Sequence, residues 1–117
     1  MNIKDYKRIY KKSGNKYNAE STRYGGRNYH SKKEASYAME LDLMKKSGVI
    51  KEWIPQFKLS LDINDCHIAN YFIDFKVIYP DDKIEYHEVK GFETDVWRMK
   101  WRLSLAIFGK ENFVLIK

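Results

Sequence analysis

The chain has 117 residues, 44% hydrophobic and 15% aromatic, with a single cysteine and a formal charge of +6. This is enough apolar material for one domain with its own core, and too little length for a second. No apolar run approaches the roughly 18 residues of a membrane span, no secretory leader is legible, and Cys66 alone cannot close an internal disulfide or build a cysteine metal site, so a soluble, membrane-free protein of the cytoplasm is expected.

The positive charge is concentrated at one end. Residues 1 to 33 carry ten Lys or Arg against only Asp5 and Glu20, whereas the remainder carries twelve basic and fourteen acidic side chains. Tyr6, Tyr10, Tyr17, Tyr24 and Tyr29 are interleaved with these cations. Residues 1–30 therefore read as a basic arm suited to phosphates and to stacking on bases or sugars, with Arg23, Arg27, Lys32 and Lys33 as candidate DNA contacts. Gly14, Asn15, Gly25 and Gly26 predict loops there rather than a continuous helix.

Residues 31–117 read as the folded core. Ser31-Lys32-Lys33-Glu34 has the form of a capping box and opens a helix to about Lys46, with Ala35, Ala38, Leu41 and Met44 inward and Gly48 as its stop. Phe57, Leu59, Leu61 and Ile63 alternate with polar residues, which predicts a strand, and Asn64-Asp65 turns the chain. A long second strand from about His67 to Tyr79 is expected to be covered on both faces. Pro80 to Lys83 connects it to a third strand, Ile84 to Lys90, completing a meander. Thr94 is the expected N-cap of a helix to about Phe108, stopped by Gly109. The continuously apolar Phe113-Val114-Leu115-Ile116 predicts a last strand inside the sheet, giving an α-β-β-β-α-β order.

Chemistry concentrates on two of these strands. Glu88 and Lys90 share a face of the third strand about 6.6 Å apart. A hairpin turning at residues 80–83 sets Asp74 beside roughly Val89, close to both. Carboxylate oxygens are the ligands Mg²⁺ prefers, often only one or two from protein, and such a cation polarises a phosphoryl group and activates water. Lys90 has three chemical options: orienting water, serving as a base, or neutralising charge on the phosphorane. Sequence does not choose between them. Glu34 lies on the inward stripe of the first helix, where it can cap the helix, join the site, or do both.

The αβββαβ order, Asp74, the Glu88-Val89-Lys90 triplet and the helical Glu34 together resemble the PD-(D/E)xK nuclease superfamily, with its restriction-endonuclease-like fold, an α/β core whose central mixed sheet is flanked by helices. Tyr24-Gly25-Gly26 and Ser31 to Ala35 add a similarity to compact phage-encoded endonucleases and Holliday-junction resolvases, and the resemblance spans residues 24 to 117. It implies Mg²⁺ or Mn²⁺ held by Asp74, Glu88, the Val89 carbonyl and Glu34, with Lys90 assisting hydrolysis. The proline that names the motif is replaced by Ile73.

Arg98, Lys100 and Arg102 are further candidate DNA contacts, Arg98 and Arg102 sharing a helical face. His30, His67 and His87 lack ligand spacing, Trp97 and Trp101 read as core, and Gln56 stands where the first strand could reach the acids. The expected activity is metal-dependent cleavage of DNA, structure-selective toward branched substrates, by a homodimer that cuts two strands. Two other classes compete with it: a non-catalytic nucleic-acid-binding module, and a phage protein-interaction factor in which the acids are surface ion pairs.

Overall fold

Two adjacent glycines at positive φ, Gly25 at 59° and Gly26 at 81°, make a tight reversal that side-chain-bearing residues resist. They join β1 (Thr22–Tyr24) to β2 (Arg27–Tyr29) as an antiparallel hairpin, with Tyr24 paired to Arg27. The two glycines form the expected loop, and the short strands on either side of it are an addition. The protein is seen here as a computed structural model that describes residues 21–117. The arm's Tyr6, Tyr10 and Tyr17, its lysines up to Lys16, and Gly14 and Asn15 lie outside the described residues.

Helix α1 (Lys32–Lys46) starts as its sequence dictates, with Ser31 Oγ accepting the Glu34 backbone N–H at 3.1 Å. Glu34, Ala35, Tyr37, Ala38 and Leu41 are its buried residues, while Met44 is only half-buried and Glu40 is exposed. Gly48, at φ 80°, closes the helix by donating to the Lys45 carbonyl at 3.1 Å. The chain divides into two compact units whose boundary falls between Asp42 and Leu43. In the first, the Tyr24 hydroxyl donates to Asp42 and ties the hairpin to the helix.

The second unit holds a mixed four-stranded sheet in the order β3-β4-β5-β6. β3 (Glu52–Ile63) and β4 (Cys66–Ile78) form a long antiparallel hairpin around Asn64 and Asp65, at φ 50° and 63°. Two successive left-handed residues match the twist of the flanking strands, which explains the two-residue turn. β5 (Ile84–Val89) runs antiparallel to β4, and β6 (Phe113–Ile116) runs parallel to β5. Between them lie helix α2 (Asp95–Phe108) and a single 3-10 turn, Lys110–Asn112. Thr94 caps α2 by accepting the Trp97 N–H at 3.0 Å. The protein is therefore α/β, with a mixed sheet and two helices.

Leu59, Leu61, Tyr71, Ile73 and Phe113 make the buried centre of a cluster that Trp97, Trp101, Leu105 and Phe108 of α2 join. Phe75 and Val77 are buried outside it, with Phe75 set edge-on to Trp53 at 5.6 Å. Two expectations are corrected here. β4 is not covered on both faces, since Phe72 remains 52% exposed and Asp74, Lys76 and Ile78 half-buried. β6 is the sheet's outer strand, and its unbroken apolar run reflects its parallel pairing and the half-burial of Val114, Leu115 and Ile116. Among the described residues, no helix is long and apolar enough to cross a membrane.

Asp65 takes a left-handed φ that costs an L-residue about 1 kcal/mol and glycine nothing. Asp65→Gly is therefore expected to raise the unfolding free energy by roughly 0.5–1 kcal/mol, read as a higher urea midpoint at unchanged slope.

Candidate active site

Apart from a register shift between Leu61 and Asp62, the pairing within the sheet is interrupted around one residue. Cross-strand pairing runs from Pro55–Phe75 to Phe57–Ile73 and skips Gln56 and Asp74, which stand opposite one another between those pairs. Gln56 has φ 50°, uncommon for a residue with a side chain and of the sort that concentrates at functional sites. On the other side of Asp74, the β4–β5 ladder ends at Phe75–His87. Continuing that register by one step puts Asp74 across from Glu88, one residue from the expected neighbour Val89. The sheet opens on both flanks of Asp74.

Side chains take over where the ladder stops. Asp74 Oδ2 accepts the Val89 N–H at 2.9 Å, and Glu88 Oε1 accepts the Asp74 N–H at 2.9 Å. Each acid thus binds the other strand's backbone, so two carboxylates are held between strands that would otherwise separate. Gln56 Nε2 reaches Asp74 Oδ1 at 3.3 Å from the third side.

Glu88 is 6% exposed, unusually deep for a carboxylate. Its Oε2 accepts the Tyr71 hydroxyl at 2.6 Å and the Trp97 indole N–H at 2.7 Å, and the indole also points at the Tyr71 oxygen at 3.1 Å. All these donors are neutral. Burial pushes the Glu88 carboxyl above the ordinary range, and the hydrogen bonds from Tyr71, Trp97 and Asp74 offset this only in part. Burial likewise raises the Tyr71 hydroxyl, reinforced by Glu88, so it stays a donor.

The other expected members divide. Lys90 is exposed, its ammonium 3.7 Å from Glu93 and its backbone N–H donating to Ile116 at 2.7 Å. Glu34, in the first unit, is buried with its carboxylate 3.9 Å from His30 Nδ1. Arg98 pairs with Asp95 at 2.7 Å, and together with Arg102 it lines a shallow groove on α2 with Met99, Leu103 and Ala106. Lys100 donates to the Asn70 carbonyl at 2.9 Å, fastening α2 to β4. Arg23, Arg27, Lys32 and Lys33 are exposed in the first unit. His87 is buried against Glu85 at 3.1 Å, away from the acid pair, and burial lowers its pKa against the opposing pull of that carboxylate.

Periodicity did not reveal Tyr71 or Trp97 as partners of Glu88. Both read as core residues, and only the polar atom each carries into a buried position signalled a hydrogen-bond obligation. Among the described residues, no group of three or more His, Cys, Asp or Glu is gathered to hold a metal ion. The two carboxylates nevertheless fit a Mg²⁺-type cation, which commonly takes one or two carboxylates and completes its shell with water and phosphate. Glu88 Oε1 accepts a single protein hydrogen bond and has acceptor capacity left on the side of Asp74.

The raised Glu88 pKa has a stability consequence. The native state holds this proton more tightly than the unfolded chain, so the associated stability is fully present below the ordinary pKa of 4.5 and is lost as pH rises through the raised value. Glu88→Gln removes that titration. The variant's unfolding free energy minus that of the native sequence should climb as pH rises above 4.5 and then level off. One proton limits the slope to about 1.4 kcal/mol per pH unit. Urea titrations at successive pH values measure the difference, and a flat line would mean that folding leaves Glu88 unperturbed.

Residues 14–113 match a family described as "Protein of unknown function (DUF1064)". No curated protein and no solved structure matches the chain. With most of its length covered by that match, the chain belongs to the DUF1064 family.

Proposed function

We propose that the protein is a metal-dependent DNA endonuclease of the PD-(D/E)xK type, with Asp74 and Glu88 as the cation-binding acids. The observation that carries this reading is the pairing of two carboxylates at the row where the β4–β5 ladder ends, Glu88 holding the Asp74 N–H and Asp74 the Val89 N–H. One of these acids is buried against its own desolvation, which its hydrogen bonds, those from Asp74 included, offset only in part. An arrangement that costs stability in this way is what a cation site requires, and such perturbed groups cluster at functional sites. The α-β-β-β-α-β order of the elements from α1 to β6 supports the same reading.

A bound Mg²⁺ or Mn²⁺ would supply Lewis acidity toward a phosphoryl oxygen and acidify a coordinated water. Asp74, half-buried, presents the accessible carboxylate, with Gln56 fixing its orientation. Glu88 holds the inner position through Tyr71 and Trp97. Lys90 is exposed on a flexible stem, and exchanging Glu93 for a substrate phosphate would bring its charge to the reacting group. The Val89 carbonyl completes the proposed ligand set by resemblance, while Glu34, which the resemblance adds, belongs to the first unit. Arg98, Lys100 and Arg102, with the basic residues before α1, would supply phosphate contacts. Such contacts position DNA without reading sequence, which favours selection by DNA structure, and cutting two strands favours a homodimer.

The competing reading is a nucleic-acid-binding module in which the two acids only clasp β4 to β5. The complete set of neutral donors around Glu88 Oε2 and the Lys90–Glu93 pair favour it. Incubation with supercoiled plasmid and four-way junction DNA, in Mg²⁺ or Mn²⁺ and in EDTA, separates the two. Cation-dependent cutting is expected, falling to background in Asp74→Asn and by roughly 10²–10⁴-fold in Lys90→Ala. DNA binding with no cutting under any condition would leave the module reading standing.

Trp97→Phe provides a finer test. An aromatic but smaller ring is kept, and a hydrogen bond to ionised Glu88 is lost, so the Glu88 pKa should rise further. The acid limb of the pH–rate profile should therefore move to higher pH, with activity recovering at alkaline pH. A uniform loss at all pH values would assign the indole to packing alone.

A further inference from the structure

Beside the acid pair stands an aromatic side chain that the fold does not bury. Phe72 is 52% exposed in the middle of β4, two residues from Asp74, or about 7 Å along the strand. Its cross-strand partner is Lys58, also exposed, whose ammonium forms no ion pair or side-chain hydrogen bond among the described residues. The Lys58–Phe72 pair lies two positions from the Gln56–Asp74 break, separated from it only by Phe57–Ile73. Phe92, two residues beyond Lys90, is 54% exposed. Burial of a phenylalanine is worth about 1.5–3 kcal/mol to folding, and Phe72 forgoes roughly half of that.

We infer that Phe72 is a stacking platform for an unpaired nucleobase next to the proposed scissile phosphate, with Lys58 holding that nucleotide's phosphate. The inference rests on the nuclease reading and narrows its substrate class. In an intact duplex the base faces are covered by their neighbours in the stack, so a ring on the protein surface has nothing to stack on. A base in a splayed end, flap or junction arm exposes its face and can be taken by an aromatic side chain, while an adjacent cation neutralises its phosphate. The selected DNA is therefore a strand with an unpaired nucleotide at the cleavage position.

The test uses the full chain and 2-aminopurine oligonucleotides in EDTA, so that binding is read without cleavage. One duplex is forked, with the fluorescent base at the first unpaired position, and the other is blunt, with the same base internal. The native sequence should quench the forked probe and bind it more tightly than the blunt one. Phe72→Ala should abolish the quench and lower the fork-over-blunt preference roughly ten-fold, and Phe72→Trp should restore both. Lys58→Ala should weaken fork binding and reduce its salt dependence by about one phosphate contact. Equal quenching by Phe72→Ala, with its fork preference intact, would overturn the stacking role and leave the nuclease reading untouched. If neither probe binds, both fall together. Thermal melting of each variant confirms that an exposed side chain was replaced without unfolding the protein.

Discussion

The reciprocal clasp between Asp74 and Glu88 is the contact on which the sheet's central opening depends. Ordinarily two antiparallel strands that diverge leave backbone donors without acceptors, at a cost of about 1–3 kcal/mol each when buried. Here the Val89 and Asp74 N–H groups are both satisfied by carboxylate oxygens, so β4 and β5 can part after Phe75–His87 without orphaned amides. Charge-assisted bonds of this kind are stronger than neutral ones, which offsets the desolvation of Glu88 only in part. The clasp thus lets the β4–β5 ladder end and sets two acids side by side there.

A second buried polar network makes the contrast clear. Glu85 accepts from the Tyr79 hydroxyl at 2.6 Å and lies 3.1 Å from His87 Nε2. Burial alone would raise the Glu85 carboxyl, but the hydrogen bonds from Tyr79 and His87 hold it below its ordinary value. Two neighbouring carboxylates on one strand are therefore driven in opposite directions. Glu85 has a titratable partner and a nearby lysine, Lys83, at 3.7 Å, whereas Glu88 has only neutral donors and another acid. Glu85 is favoured in its charged form, and Glu88 in its neutral form.

Much of this was legible in the sequence because it depended on local rules. Ser31, Gly48, Thr94 and Gly109 mark the ends of both helices through capping chemistry written in single residues. Asn64-Asp65 announces the β3–β4 turn, and alternation sets the strands. What failed depends on non-local pairing. A hairpin register inferred from its turn was one residue off, because the left-handed Asp82 reshapes the connection between β4 and β5. β1 and β2, on either side of the Gly25-Gly26 loop, went unread because strands of three residues carry too little pattern to be recognised. The apolar β6 looked interior because parallel pairing to β5 and an edge position leave the same sequence trace. At the site, Asp74 and Glu88 announced themselves as acids in strands, but the break at Gln56 is a backbone event with no residue signature, since glutamine rarely takes a positive φ.

Trp97 joins this local chemistry to the rest of the second unit. Its indole N–H holds Glu88, while its ring stacks on Trp101 at 5.6 Å, and Trp101 meets Phe113 edge-on at 5.6 Å. Phe113 in turn lies 5.1 Å from Tyr86, two residues before Glu88 on β5. The path closes on itself, from the carboxylate through α2 and β6 and back to the strand that bears it. Moving Glu88 would therefore shift an aromatic chain anchored at the buried Phe113, with Trp97, Trp101 and Tyr86 half-buried around it. The inner acid is held by Tyr71 and Trp97, and Asp74 by the Val89 N–H and Gln56, so hydrogen bonds fix both carboxylates. A cation held by Asp74 and Glu88, as proposed, would therefore meet acids that the fold has already positioned.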